Sequence, residues 1–236
     1  MNKLKYTFIT AALSIVFGFL IVAPTIDIRA QKEDPFEAQI GSIKLVNQPV
    51  TDGFAQLSQS SDISVSIEYP LTHSISDSAA RLPRFTAELK PGKPAEILDQ
   101  LCSLDPQFAW VRIGNAVNIF PAASRDKPDY LFNRVIRFAK LSNVSSADKA
   151  VIQLVNQLPG PRQQIATLQT TGFTFSEPLT HEFRDVTVRQ ALDEIAQILG
   201  PTYGWQLSGA EDFRVVMFHT RLRPGSPAKV GALSRR

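Results

Sequence analysis

An internal repeat is the strongest constraint that this sequence places on its fold. Residues 84–113 read RFTAELKPGKPAEILDQLCSLDPQFAWVRI, and residues 181–207 read HEFRDVTVRQALDEIAQILGPTYGWQL. Each stretch combines a short extended run, a helix that contains Leu-Asp-x-Leu or Leu-Asp-x-Ile, a polar gap and an aromatic strand with one Trp. The chain therefore contains one building block used more than once.

The two copies can be aligned residue by residue. Leu98 and Leu192 occupy equivalent helix positions, and Trp110 and Trp205 occupy equivalent strand positions, with one extra residue in the second copy. Both Trp side chains are interpreted as core residues rather than as ligand-stacking residues, because repeat-equivalent strand positions are typical of packing.

Hydrophobic periodicity gives the element order β-α-β-β-α-β-β for the first copy, with a hairpin turn at Gly114-Asn115. The pattern resumes after a short linker, with a capping box at Thr187 and Gln190, although residues 162–179 are ambiguous. The second helix of each copy has one apolar face. A single unit of this size buries its faces poorly, so two halves are expected to make one module. The predicted fold class is α+β, with two small βαββαβ-type modules, each a short sheet packed on two helices. The predicted boundaries are a signal or anchor at 1–30, modules at 41–121 and 133–219, a linker at 122–132 and a disordered basic tail at 220–236.

The N-terminus has the pattern of an export signal. Lys3 and Lys5 precede an uncharged apolar run over residues 6–23, and Ala30 stands at an imperfect cleavage site before Gln31. The run is long for a cleaved signal and just long enough to span a bilayer, so cleavage and a retained anchor are both open. In either case the prediction places the bulk of the chain in the periplasm or envelope.

The segment IKLVNQPVTDGFAQLSQSSDISVSIEYP, together with the stretch from Arg84, resembles the short N-terminal domain shared by secretins and TonB-dependent receptors. DVTVRQALDEIAQILGPTYGWQL matches the second half of that domain more closely, and RVIRFAKLSNVSSADKAVIQLVNQLPG looks like the opening of the next periplasmic module of secretins. The resemblance covers about 43–120 and 133–219. The first copy departs from the pattern at Gly53-Phe54, where Ala-Leu is usual, and Gly is costly inside a helix.

The resemblance implies a periplasmic binding or assembly module. No long run of amphipathic strands follows, so the expected protein is a free-standing module without a secretin barrel or a receptor barrel. The predicted function is non-enzymatic protein binding in the bacterial cell envelope, as an accessory to a secretin-type or TonB-dependent outer-membrane system. The predicted partner is a secretin, a TonB-dependent receptor or an associated component, or the chain itself.

Two other functions stay open at this point. The modules could form a self-assembling periplasmic scaffold, or a site between them could act on cell-wall polymer. No nucleic-acid partner is expected: the net charge is only +3, and no basic cluster is evident outside the tail, which is rich in Pro, Gly, Ser and Ala. Membrane contact is expected only through an uncleaved N-terminal segment.

The sequence contains few residues that indicate chemistry. Ser146-x-x-Lys149 matches the acylation motif of penicillin-recognising enzymes, but its companion motifs are missing, so Ser146 is interpreted as a helix N-cap. Cys102 is the single cysteine, which rules out an intrachain disulfide, and it is predicted to be a buried core thiol.

The remaining polar candidates are also interpreted as structural. Three histidines are scattered without ligand spacing, and one acidic pair lies in a predicted turn. The prediction is therefore no catalytic, cofactor-binding or metal-binding residue and no cofactor. The residues concerned are His73, His181, His219, Glu211 and Asp212.

Overall fold

A computed structural model describes residues 34–70, 82–158, 164–167, 173–209 and 213–224 of the chain. Chain contacts divide the protein into residues 1–32 and a compact unit of residues 33–236, and every described residue belongs to the second unit. Within these described ranges, no helix is long and apolar enough to cross a membrane.

Several predicted features fall outside the described residues. They are the N-terminal signal or anchor, the polar loop that contains His73, the Pro-Gly-Pro sequence at 159–161, the pair Glu211 and Asp212, and the tail from residue 225.

The first half of the described chain is a run of five strands and two helices. The loop of the terminal hairpin is Gly114-Asn115, as predicted, and Gly114 has the positive φ of 58° that such a turn requires. We number the elements β1 (Ile43–Pro49), α1 (Val50–Ser60), β2 (Ser64–Glu68), β3 (Arg84–Leu89), α2 (Pro94–Leu104), β4 (Phe108–Ile113) and β5 (Ala116–Pro121).

The second half repeats this order. The predicted capping box at its second helix is confirmed: Thr187 Oγ1 accepts from the Gln190 N–H, and the Gln190 side chain accepts from the Thr187 N–H. The elements are β6 (Val135–Ser146), α3 (Ala147–Asn156), β7 (Gln164–Thr167), β8 (Thr174–Thr187), α4 (Val188–Leu199), β9 (Gly204–Gly209) and β10 (Phe213–His219).

The predicted α+β class is confirmed, but the two halves do not have separate sheets. β1 pairs with β3 and β6 pairs with β8 as two-stranded ribbons, while the other strands form one six-stranded sheet in the order β4-β5-β2-β9-β10-β7. The halves join where β2 and β9 pair in parallel. A small sheet leaves unpaired N–H and C=O groups at its edges, and this pairing removes two such edges. The boundaries between modules stay a prediction.

The helices of the two halves lie on opposite faces of this sheet. Ile67 packs in the core with α1 and α2, and its register partner is Gln206. Leu207 packs in the core with α3 and α4, and its register partner is Glu68. Register partners share a face and successive residues alternate between faces, so the two helix pairs cover opposite sides.

The repeat extends to unusual backbone positions. Asn47 in β1 and Asn143 in β6 both have φ 52°, and each lies at a register shift in its ribbon. The Asn47 N–H donates to Thr86 Oγ1 at 3.1 Å, and the Asn143 N–H donates to Thr180 Oγ1 at 3.3 Å. Asn tolerates this left-handed conformation better than most residues, so the same bulge is built twice from the same residue type.

Close helix packing accounts for the glycine that departs from the family pattern. A Cβ atom on Gly53 would lie 2.4 Å from Cδ2 of Leu101 in α2, which is closer than atoms can approach. Ala150, at the equivalent position of α3, is fully buried. Glycine at position 53 therefore has a conformational cost in α1, but it leaves room for the Leu101 side chain and so for close contact between α1 and α2.

Candidate binding edge and central junction

The same aspartate–tryptophan hydrogen bond occurs once in each half. In the first half, Trp110 Nε1 of β4 donates to Asp99 Oδ1 of α2 at 2.8 Å, at an exposed position. In the second half, Trp205 Nε1 of β9 donates to Asp193 Oδ1 of α4, also at 2.8 Å. Trp205 is fully buried and Asp193 is 1% exposed. Equivalent residues therefore lie in opposite environments.

Residues of the first half cover the second pair. Ser66 Oγ of β2 donates to Asp193 Oδ1 at 3.3 Å, and the Asn118 amide of β5 donates to Asp193 Oδ2. The Trp205 backbone N–H in turn donates to Ser66 Oγ at 3.2 Å. Asp193 therefore holds α4 of one half against β2 and β5 of the other.

Burial raises the pKa of Asp193 to about 7. The hydrogen bonds from Trp205, Asn118 and Ser66 oppose this shift, because each one stabilises the carboxylate. Asn118 Oδ1 has no hydrogen-bond partner among the described residues, so an amide rotated by 180° would accept a hydrogen bond from a neutral Asp193.

A buried ion pair forms the second part of this contact. Glu68 of β2 is fully buried, and its Oε1 lies 2.5 Å from Nε of Arg189 in α4. The Tyr130 hydroxyl donates to Glu68 Oε2 at 2.8 Å, and Arg189 Nη1 donates to Asn133 Oδ1 at 2.8 Å. The Arg189 guanidinium lies 4.5 Å from the centroid of the Phe120 ring. We call the β2–β9 pairing, with Ser66, Glu68, Asn118, Arg189 and Asp193, the central junction.

The predicted linker also takes part in packing around this junction. Phe132, just before the second half, is fully buried and stacks on Trp205 with ring centroids 5.9 Å apart. Burial, followed by the negative charge of Glu68, raises the pKa of Tyr130. Arg214 of β10 lies over the Tyr130 and Phe132 rings at 5.5 and 5.9 Å. Tyr130 and Phe132 therefore link the two halves through side-chain contacts as well as through the backbone.

The arrangement at the junction is that of a packed interior rather than of a reacting centre. The carboxylates of Glu68 and Asp193 already accept hydrogen bonds from protein groups. A general acid or base must instead reach a substrate in a cleft. The His219 ring is half-buried, and desolvation lowers its pKa to about 4. The described residues contain no group of three His, Cys, Asp or Glu that could hold a metal.

Among the described residues, Cys102, Ser146 and His181 lie in separate parts of the fold. Cys102 is half-buried against the first core, and burial raises the pKa of its thiol to about 12. Ser146 lies at the predicted N-cap position, but its side chain makes no capping hydrogen bond, and Lys149 Nζ contacts Ser145 Oγ at 3.0 Å instead. His181 lies 3.0 Å from Glu194, and both are partly exposed.

The outer side of β4 has no paired strand among the described residues. Among the described strands, β4 pairs with β5 alone. Val111 on this strand is 39% exposed. Arg112 Nη2 forms an ion pair with Asp34 Oδ2 at 2.8 Å, and the guanidinium lies 3.9 Å from the centroid of the Phe36 ring. We call this side of β4, with the exposed Asp99–Trp110 pair beside it, the open edge.

The open edge corresponds to the edge of β9 that β2 covers. Counting from the paired Trp residues, Val111 corresponds to Gln206 and Arg112 to Leu207. Gln206 is the register partner of Ile67 in β2, and the Leu207 carbonyl accepts from the Tyr69 N–H at 2.9 Å. The central junction therefore shows how an edge of this type is paired.

Sequence reasoning found the two Trp positions and the Leu-Asp-x-Leu motif but missed what its aspartate does. The signal was the shared Asp within that motif, which stands eleven residues before Trp110 and twelve before Trp205. The prediction that both Trp residues are core residues holds fully for Trp205, whereas Trp110 is only partly buried against the first core.

No protein-family model matches this sequence, and comparisons with curated proteins and with solved structures give no match either.

Proposed function

We propose that this chain is an exported, non-enzymatic protein-binding module of the bacterial cell envelope that accepts a partner strand at its open edge. The predicted partner is a component of a secretin-type or TonB-dependent outer-membrane system, or a second copy of the chain. The resemblance in the sequence and the export signal support the location, and the geometry of β4 supports the mode of binding.

The observation that carries this proposal is the difference between the two Asp–Trp pairs. Asp193–Trp205 lies beside a strand edge that pairs with β2, whereas Asp99–Trp110 lies beside an equivalent edge that has no paired strand among the described elements. An unpaired strand presents a row of N–H and C=O groups that can pair with another chain, which is the basis of strand addition in peptide recognition.

Hydrogen bonding and burial favour binding over catalysis. The two most buried carboxylates, Glu68 and Asp193, are each held by donors from both halves or from the linker. A surface depression of about 530 Å³ beside Asn133 is lined by Arg125, Asp126, Lys127, Pro128 and Thr187. It is open and offers no pair of acid and base groups of the kind that a hydrolytic site uses.

Site-specific photocrosslinking in cells tests the proposal. Benzoylphenylalanine at Val111 places the probe on the open edge, and the same probe at Ile152 of α3 is the matched control, because Ile152 is exposed to a similar degree (46% against 39%). We expect the Val111 probe to give a discrete adduct in the envelope fraction, with the crosslink mapped by mass spectrometry to an extended segment of the captured protein.

The same sample tests the location. A mature N-terminus at Gln31 would establish cleavage, and an intact leader in the membrane fraction would establish an anchor. Recovery of the chain in the cytoplasmic fraction would overturn the envelope assignment. The binding assignment fails if the Val111 probe gives no adduct, or gives the same adducts as the Ile152 control.

A further inference from the structure

The contacts that β2 makes with β9 indicate what a strand at the open edge must contain. β9 carries Trp205 beside Asp193, and β4 carries Trp110 beside Asp99, with the same hydrogen bond in each pair. β2 pairs with β9, whereas no described strand pairs with the outer side of β4. Each contact from β2 can therefore be transferred to the equivalent residue of β4.

The backbone of β4 offers the same groups as β9. The Gln107 carbonyl accepts from the Ala122 N–H at 2.7 Å, so the backbone of Gln107 faces β5. Backbone groups alternate in direction along a strand, so those of Trp110 and Arg112 face away from β5, toward the open edge. The equivalent groups of β9 are the ones that bond to β2.

A hydroxyl side chain completes the buried Asp–Trp pair. Ser66 Oγ accepts from the Trp205 backbone N–H at 3.2 Å and donates to Asp193 Oδ1 at 3.3 Å. A hydroxyl can do both at once, because it carries one donor and two acceptor lone pairs. At the open edge the equivalent groups are the Trp110 N–H and the exposed Asp99 carboxylate. A partner segment with Ser or Thr opposite Trp110 supplies the same bridge.

The next two positions of the partner segment follow from the register. Glu68 of β2 stands opposite Leu207, which corresponds to Arg112 in β4. Register partners share a face, and an acidic residue opposite the exposed Arg112 forms a favourable cross-strand pair. The residue between the hydroxyl and the acid lies opposite Val111 on the other face, where an apolar side chain covers an exposed apolar surface.

We propose that the open edge binds, in parallel with β4, an extended segment of a partner protein with the pattern hydroxyl–apolar–acidic, placed opposite Trp110, Val111 and Arg112. This inference rests on the proposed function and states the chemistry of the partner segment. The direction follows from the parallel pairing of β2 with β9. Residues 66–68 of β2 read Ser-Ile-Glu and have this pattern, so a peptide with the β2 sequence is a suitable probe.

Fluorescence anisotropy with a labelled peptide tests the proposal. The probe is ISVSIEYP, the sequence of residues 63–70, titrated with the purified full chain. We expect saturable binding with a dissociation constant on the order of tens of micromolar. A peptide with the same composition in scrambled order is the control and should not bind.

A double-mutant cycle tests the hydroxyl bridge. Ser66→Ala in the peptide and Asp99→Ala in the protein should each weaken binding about five- to tenfold. Together they should weaken it far less than the product of the two effects, because both remove the same hydrogen bond. Asp148→Ala in α3 is the matched protein control, because it removes a charge of the same sign outside the open edge.

A second cycle tests the acidic position. Glu68→Lys in the peptide should weaken binding to the wild-type protein about two- to fivefold. Against Arg112→Ala protein, the Glu and Lys peptides should bind alike, because the charge that distinguishes them is gone.

Photocrosslinking determines the direction of the bound segment. Benzoylphenylalanine replaces Ile63 at the amino end of the peptide. With Ser66 opposite Trp110, parallel pairing places this probe opposite Gln107, whereas antiparallel pairing places it opposite Ile113. We expect mass spectrometry to map the crosslink to the Gln107 end of β4.

Each alternative outcome has a separate meaning. No binding of the β2 peptide, equal binding of its Ser66→Ala form, additive effects of the peptide change and Asp99→Ala, or a crosslink at the Ile113 end would overturn the inference. If it fails but the Val111 photoprobe in cells still captures an envelope protein through a segment without this pattern, the proposed function stands. If the photoprobe captures nothing either, the proposed function fails as well.

Discussion

The exposed Asp99–Trp110 pair and the buried Asp193–Trp205 pair consist of the same residue types at equivalent positions, with the same 2.8 Å hydrogen bond. The first lies at an edge with no paired strand among the described residues, and the second is covered by β2 and β5. The comparison shows that the local motif builds a strand edge with an acidic group beside it, and that the neighbouring element decides whether this edge becomes core or surface.

The largest expected effect comes from breaking the buried ion pair. Glu68→Ala should lower the free energy of unfolding by about 3–5 kcal/mol, because Arg189 is left as an uncompensated buried charge. Asp34→Ala, which breaks the exposed pair with Arg112, should barely move the midpoint of urea unfolding. Equal midpoint shifts for the two variants would show that the central junction is not a buried interface.

The two aspartates of the repeated Asp–Trp pair should also differ in their contribution to the free energy of unfolding, with the buried Asp193 contributing more. Asp193→Ala should cost about 2–3 kcal/mol, since it leaves the buried donors of Trp205, Asn118 and Ser66 without an acceptor. Asp99→Ala removes an exposed acceptor whose partner can turn to water, so we expect little change. Chemical denaturation of both variants beside the wild type measures the difference, and a cost at Asp99 that matches the cost at Asp193 would contradict it.

The pH dependence of stability sharpens the comparison. Burial raises the pKa of Asp193 to about 7, whereas an unfolded aspartate titrates near 3.9. The native state therefore binds this proton more tightly, so the stability that Asp193 contributes is fully present below about pH 4 and is lost as pH rises through about 7.

Asp193→Asn removes this dependence while keeping the shape of the side chain. The unfolding free energy of the variant minus that of the wild type should rise by about 3 kcal/mol between about pH 4 and pH 7. Urea titrations at intervals across that range measure it, with Asp99→Asn as the control. His219 is present in all three proteins, so its contribution cancels in the difference. A difference that does not change with pH would show that the pKa of Asp193 is not raised in the folded protein.

The smallest effect concerns the helix pairs. Gly53→Ala should destabilise the protein by about 1–2 kcal/mol, because the new methyl group meets Leu101 in a packed core. The reverse change at the equivalent site, Ala150→Gly, should cost about 0.5–1 kcal/mol through helix propensity, in addition to the loss of a buried methyl group. Thermal unfolding of both variants measures the two costs, and a stabilising Gly53→Ala would show that the Leu101 side chain moves to make room for the methyl group.

Local patterns in the sequence were sufficient for most of the elements. The Thr187–Gln190 capping box, the Gly114-Asn115 hairpin turn and the apolar stripes of α2 and α4 follow from short-range chemistry, and each is found where it was predicted. Glu68 and Arg189 were not predicted as partners, because they are 121 residues apart and neither carries a local sign of its contact. The same holds for Ser66 and Asp193.

The sequence by itself determined the repeat, the α+β class and the order of elements in the first half, because these depend on periodicity, turns and caps within a few residues. It marked both Trp positions and the Leu-Asp motif but not the Asp–Trp hydrogen bonds, and it left residues 162–179, which contain β7 and the start of β8, ambiguous. Only the tertiary structure decided that β2 pairs with β9, that the helix pairs lie on opposite faces and that the outer side of β4 has no paired strand among the described residues. Those choices depend on contacts between strands about 140 residues apart, such as Ser66 with Trp205. Since the two copies have nearly the same local pattern, that pattern cannot specify which copy covers the other.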